Sequence, residues 1–151
     1  MMRAMRSPTV LALLLSGCAT AGSSVEVHGK DVDVMVLAGR WEGTYAGIES
    51  GRRGTVTFDL ASGFRIAEGQ VMMSALDDPA KAVPLKVKFV DVGGGAISGK
   101  IDPYPEPKCA CTVETEFKGR FAGNTLDGTF ETRPVGKEVI QRGTWSAKRV
   151  P

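Results

Sequence analysis

From Gly39 to the C-terminus the apolar residues recur at every second position, and no long stretch of helical period interrupts them. That period belongs to strands with one dry and one wet face. Val56, Phe58 and Leu60 alternate with Thr55, Thr57 and Asp59, and Leu85, Val87 and Phe89 alternate with Lys86 and Lys88. The same rule places Ile97 and Ile101 against Ser98 and Lys100, Val113 and Phe117 against Glu114 and Glu116, Leu126 and Phe130 against Asp127 and Glu131, and Trp145 and Ala147 against Ser146 and Lys148. Phe64 and Ile66 change parity to Val71 and Met73 across Gly69, which predicts a bulge at that glycine. Turn residues at 51–54, 62–63, 77–79, 93–95, 122–124 and 134–136 divide the chain into about eight strands. Only 74–82 has room for a helical turn, so a parallel sheet with crossover helices is excluded. The expected fold is all-β, an antiparallel up-and-down β-barrel of about eight strands, because closure removes the exposed edges of an open sheet.

The inward parity of such a barrel carries Trp41, Tyr45, Phe58, Phe89, Phe117 and Trp145, which are the expected pocket residues. The two tryptophans, each burying roughly 200 Å², stand on the first and last strong strands and are expected to meet where the barrel closes. A barrel of this size is either filled by its side chains or holds one small ligand. The inward set reads as almost purely apolar, so a ligand would be apolar or acyl-like, with Tyr45 as its polar handle. Gly39-Arg40-Trp41 at the first strong strand and Arg142-Gly143-Thr144-Trp145 near the last resemble the calycin barrels: lipocalins, fatty-acid-binding proteins and avidin-like proteins. The resemblance implies that Trp41 closes one end of the barrel and that a basic residue, Arg149, packs over it. The lipocalin Thr-Asp-Tyr signature and C-terminal helix are missing.

Upstream, Arg3 and Arg6 precede the run Val10 to Leu15, which is followed by Ser16, Gly17 and Cys18. A basic start, a short apolar stretch and small residues make a secretory signal, too short for a spanning helix. Leu15-Ser16-Gly17-Cys18 resembles the lipobox of bacterial lipoproteins. That resemblance implies a signal peptide over 1–17, acyl chains such as palmitate on Cys18, and a membrane anchor on an envelope protein. Ala19 in place of an acidic residue favours the outer membrane, with the domain on its periplasmic or surface face. The expected organisation is a lipidated cysteine and flexible tether over 18–31, then a single barrel domain over 32–151. Within the tether region Val25 and Val27 alternate, His28 to Asp31 reads as a turn, and Val32, Val34 and Val36 alternate again, as a short hairpin or the approach to the first barrel strand. Loss of Arg3 and Arg6 with the signal leaves 17 basic residues against 17 acidic ones. A neutral chain with interspersed charge does not favour nucleic acid as a partner.

Cys18 accounts for the odd cysteine among three, leaving Cys109 and Cys111. An oxidising compartment favours a disulfide between them. Residues two apart on a strand sit at the edge of bridging distance, so the bridge needs a local turn. Two free thiols or a soft-metal or redox pair are the alternatives, although two thiolates are too few for a structural zinc. No Ser-His-Asp set, phosphate-cradling loop or inward carboxylate pair is present, so neither catalysis, a cofactor nor a metal is expected. Two functions compete at this level: a carrier of a small apolar or lipidic ligand inside the barrel, and a solid interaction or inhibitor module that docks on an envelope protein through the loop 102–111.

Overall fold

The computed structural model describes residues 22–74, 78 and 80–151; the signal segment, Cys18 and residues 19–21 lie outside them. The elements in chain order are β1 (Ser23–Gly29), α1 (Asp31–Leu37), β2 (Gly39–Gly47), β3 (Arg53–Leu60), β4 (Ile66–Ser74), β5 (Ala82–Leu85), β6 (Val87–Gly93), β7 (Ala96–Glu106), β8 (Cys111–Ala122), β9 (Thr125–Pro134) and β10 (Gln141–Val150). Hydrogen bonding runs in the order β1-β6-β7-β8-β9-β10-β2-β3-β4, and β4 pairs back onto β1. The all-β barrel expected from the alternation is therefore present, with nine strands in the ring. β5 lies outside the ring, extending the edge of β4 where β1 leaves it. The sheet is mixed rather than purely antiparallel. An odd ring cannot alternate direction throughout, and the one parallel pairing falls between β1 and β6.

β1 corrects the expected tether over 18–31. Val25 and Val27 are 0% and 2% exposed, inserted between β4 and β6, so Ser23–Gly29 of the expected tether is a strand of the barrel. The second valine alternation is not a strand. Asp31–Leu37 forms a short helix that buries Val34 and Leu37, three residues apart, and leaves Val32, Met35 and Val36 exposed. Its last carbonyls are satisfied from the barrel: Trp41 Nε1–H donates to Leu37 O at 2.8 Å, and the Arg149 guanidinium donates to Val36 O and Ala38 O. A cation at a helix C-terminus also complements the aligned peptide dipoles.

Two irregularities differ from the expected one. Register between β3 and β4 is unbroken across Gly69, so no bulge forms there. Phe64 and Ile66 instead face outward, 63% and 60% exposed, while Ala67, Val71 and Met73 take the inward parity. The bulges lie in β6, between Val87 and Phe89, and in β7, between Ile101 and Tyr104. Each reverses the parity of the residues after it, and both matter for the interior.

One end of the barrel carries α1 and the β8–β9 turn; the other carries the β2–β3 and β9–β10 connections and the Cys109–Cys111 disulfide. The cysteine Cα atoms are 5.1 Å apart, and Ala110 between them takes φ 49°, the local turn that the spacing demands. The loop expected over 102–111 shrinks to 107–110, since β7 runs on to Glu106. Beyond Asp102, whose N–H still bonds Lys86 O, β7 pairs only with β8, and on such a free edge Pro103 and Pro105 cost no ladder bond.

Candidate functional site

The interior of the ring is not filled. A cavity of about 110 Å³ extends from Leu37 and Trp41 at the helix end to Ser50, Arg52, Glu106 and Gln141 at the disulfide end. Its middle is walled by residues such as Phe58, Val90, Phe117, Leu126, Phe130 and Trp145.

Strand register explains why so many aromatics leave space between them. Tyr45 stands directly opposite Gly54, Phe117 opposite Gly99, Trp145 opposite Gly128 and Phe130 opposite Gly143. At each of these glycines a Cβ would collide with the ring of its partner. The rings therefore lie in notches along the wall rather than projecting to the barrel axis, a cross-strand pairing that stabilises the sheet while keeping its interior open. Trp145 is fixed further by bonds from its Nε1–H to Lys118 O at 3.2 Å and Thr129 O at 3.3 Å. Phe117 and Tyr45 meet Trp145 and Phe130 edge-on, at ring separations of 6.0 and 5.7 Å.

Of the residues expected in a pocket, Trp41, Tyr45, Phe58, Phe117 and Trp145 line this cavity. Phe89 does not. The β6 bulge turns it to the outer surface, where it stacks on His28 at 5.9 Å, and Val90 takes the inward place. The two tryptophans do not meet either. Trp41 pairs with Arg149 and Trp145 with Tyr45, four residues along β2, a separation of about 13 Å along the strand. Trp41 closes the helix end: it is 1% exposed, meets Phe121 edge-on at 5.9 Å, and carries the Arg149 guanidinium 4.3 Å from its ring centroid.

The disulfide end departs most from the expected apolar interior. Arg52 and Glu106, 6% and 1% exposed, form a paired contact: Arg52 Nη2 lies 3.0 Å from Glu106 Oε1 and Nη1 lies 3.1 Å from Oε2. Nη1 also approaches Met73 Sδ at 3.0 Å, and the Lys108 N–H donates to Glu106 Oε1 at 3.1 Å. Next to the pair, toward the middle of the barrel, a hydroxyl chain crosses the wall, with Tyr104 Oη 3.3 Å from Thr115 Oγ1 and Thr115 Oγ1 2.6 Å from Thr132 Oγ1. Among the described residues, two buried polar atoms of the cavity wall find no hydrogen-bond partner, Tyr45 Oη and Arg52 Nε. Burial, reinforced by Tyr104 and Glu106 and opposed by Arg52, pushes the Tyr45 phenol up to about 12.

No family model matches the chain, and no curated protein matches it. The site thus rests on its own chemistry. Among the described residues no cluster of three His, Cys, Asp or Glu side chains could hold a metal, and no helix is long and apolar enough to cross a membrane. What the arrangement offers is a narrow chamber with an apolar floor at Trp41 and a polar roof at Arg52, Glu106 and Tyr45.

Sequence reasoning missed the roof for an identifiable reason. Arg52 falls in a Gly-rich turn and Glu106 between two prolines, and the parity reversal at the β7 bulge turns Glu106 inward without a local sign. Thr115 was legible in principle, since it shares the parity of Val113 and Phe117.

The Tyr45 hydroxyl gives a pH-dependent expectation. A phenol whose folded pKa lies near 12 rather than 10 stays neutral longer in the folded than in the unfolded chain. The unfolded chain therefore gains by ionising first, so this group leaves stability unaffected below pH 10 and lowers it as pH rises from 10 through 12. Chemical denaturation across that range should show falling stability in the wild type and a smaller fall in Tyr45→Phe. At neutral pH the same variant should be neutral or more stable by about 1 kcal/mol, because it removes a buried hydroxyl without a protein partner.

Proposed function

We propose that the protein is a membrane-anchored envelope lipoprotein, non-catalytic, whose barrel holds one small, largely apolar molecule. The observation that carries the carrier reading is the open interior: aromatic rings laid in glycine notches around a chamber of about 110 Å³. An engineered apolar cavity of about 150 Å³ accepts benzene or xenon, so the volume fits a single ring or a short chain better than a complete acyl chain. Few polar groups among many apolar ones is also the usual composition of a small-molecule site.

The anchor rests on Leu15-Ser16-Gly17-Cys18, and the position of β1 is consistent with it. Barrel structure starts at Ser23, so a chain of about five residues, at most ~18 Å when extended, joins an acylated Cys18 to the domain. The stack of Arg149 on Trp41 supports the calycin resemblance of the domain. The competing reading, a solid module docking through 102–111, has less support, because that segment is mostly strand and the interior is open.

Two measurements test the proposal. Protein purified without detergent is expected to release a small apolar compound into organic solvent, detectable by mass spectrometry in about stoichiometric amount. Extracts matching buffer, together with no binding of added aromatic or alicyclic compounds, would remove the carrier reading. In cells, Cys18→Ser should abolish acyl incorporation and shift the protein out of the membrane fraction; unchanged partition would contradict the anchor.

A further inference from the structure

The polar roof narrows what the chamber accepts, if the carrier reading on which this rests holds. We propose that the ligand is an uncharged, ring-sized molecule with a hydrogen-bond acceptor at one end, such as a ketone, ester or ether, received by the Tyr45 hydroxyl and the Arg52 Nε–H.

Three observations lead there. The chamber is polarised, with Leu37, Trp41 and Ala147 at one end and Ser50, Arg52 and Glu106 at the other, so a bound molecule has an orientation. The charges at the polar end cancel: both terminal guanidinium nitrogens of Arg52 are engaged by the Glu106 carboxylate. An anionic head would meet that carboxylate with no spare cation, and a cationic head would meet Arg52, so either charge is disfavoured when desolvated. The groups left over are donors. Arg52 Nε–H can only donate, and it belongs to a side chain only 8% exposed. Tyr45 Oη can donate as well, and with its ionisation suppressed by burial it keeps its proton at any ordinary pH. Both atoms are covered by their neighbours, so a head group reaches them only by moving part of the wall. A buried donor without an acceptor is costly, and a ligand acceptor would remove that cost.

The test compares three probes of one shape: cyclohexane, cyclohexanone and cyclohexanecarboxylate. Binding is followed by the fluorescence of Trp41 and Trp145, both in the chamber wall. Cyclohexanone is expected to bind about tenfold tighter than cyclohexane, the equivalent of about 1.4 kcal/mol, and cyclohexanecarboxylate weakest of the three. Tyr45→Phe, which keeps the ring, should erase most of the ketone's advantage, read as the ratio of ketone to cyclohexane affinity within the same variant. Equal affinity for ketone and hydrocarbon, or an advantage that survives Tyr45→Phe, would overturn the acceptor assignment and leave the carrier reading standing. Tightest binding by the carboxylate would overturn the uncharged class. Binding of none of the three would overturn the carrier reading itself.

Discussion

Glu106→Ala is expected to destabilise the protein by about 3–5 kcal/mol, because it strands the Arg52 guanidinium in a site 6% exposed with, among the described residues, only Met73 Sδ as a remaining side-chain hydrogen-bond partner. Two charges held together out of water cost little more than an apolar pair of the same volume, whereas one charge left alone has lost its hydration for nothing. The double replacement Arg52→Met with Glu106→Leu should therefore recover most of the loss. It should also weaken the proposed acceptor selectivity, since the Nε–H goes while the Tyr45 hydroxyl stays. Urea denaturation of the wild type and the two variants makes the comparison. A single variant within 1 kcal/mol of wild type would mean that Arg52 swings out to water when its partner is removed, and that the roof is not held as described.

Trp41→Ala should cost a comparable amount, about 3–5 kcal/mol. Three losses combine. The indole is 1% exposed and packs on Phe121, its Nε1–H satisfies the Leu37 carbonyl at the end of α1, and its ring is the seat of the Arg149 guanidinium. Removing it leaves α1 with one carbonyl unpaired and Arg149 without a face to stack on. The closed end then opens to solvent. Trp41→Phe keeps a ring but not the donor and should lose distinctly less, so the difference between the two variants separates packing from the cap on α1. Thermal unfolding provides the measurement, and equal losses in both would place the whole effect in the hydrogen bond.

The general plan of this fold is legible from alternation alone. A half-buried strand marks its own two faces every second residue, and that signal sufficed for the barrel class, for the inward parity of Trp41, Tyr45, Phe58, Phe117 and Trp145, and for the turn that Cys109 and Cys111 require. What alternation cannot carry is register. The pairs Tyr45 with Gly54 and Trp145 with Gly128 join positions on different strands, and only their alignment shows that a ring lies on a glycine. Bulges are equally hidden: one extra residue in β6 sends Phe89 outward, and one irregularity in β7 sends Glu106 inward, though both sit in otherwise ordinary patterns. The valines of α1 show the third gap. Val32, Val34 and Val36 alternate as a strand would, but three-residue spacing of Val34 and Leu37 against the barrel end, with Trp41 and Arg149 donating to the last carbonyls, makes the helix the better-satisfied conformation.

The proposed carrier function depends on the barrel being hollow. Crystals pressurised with xenon test that most directly, since xenon occupies dry apolar cavities and needs no knowledge of the natural ligand. The expected result is a xenon peak inside the ring against Val90, Phe117 and Leu126. An interior without a peak, and with side chains meeting across the axis, would contradict it.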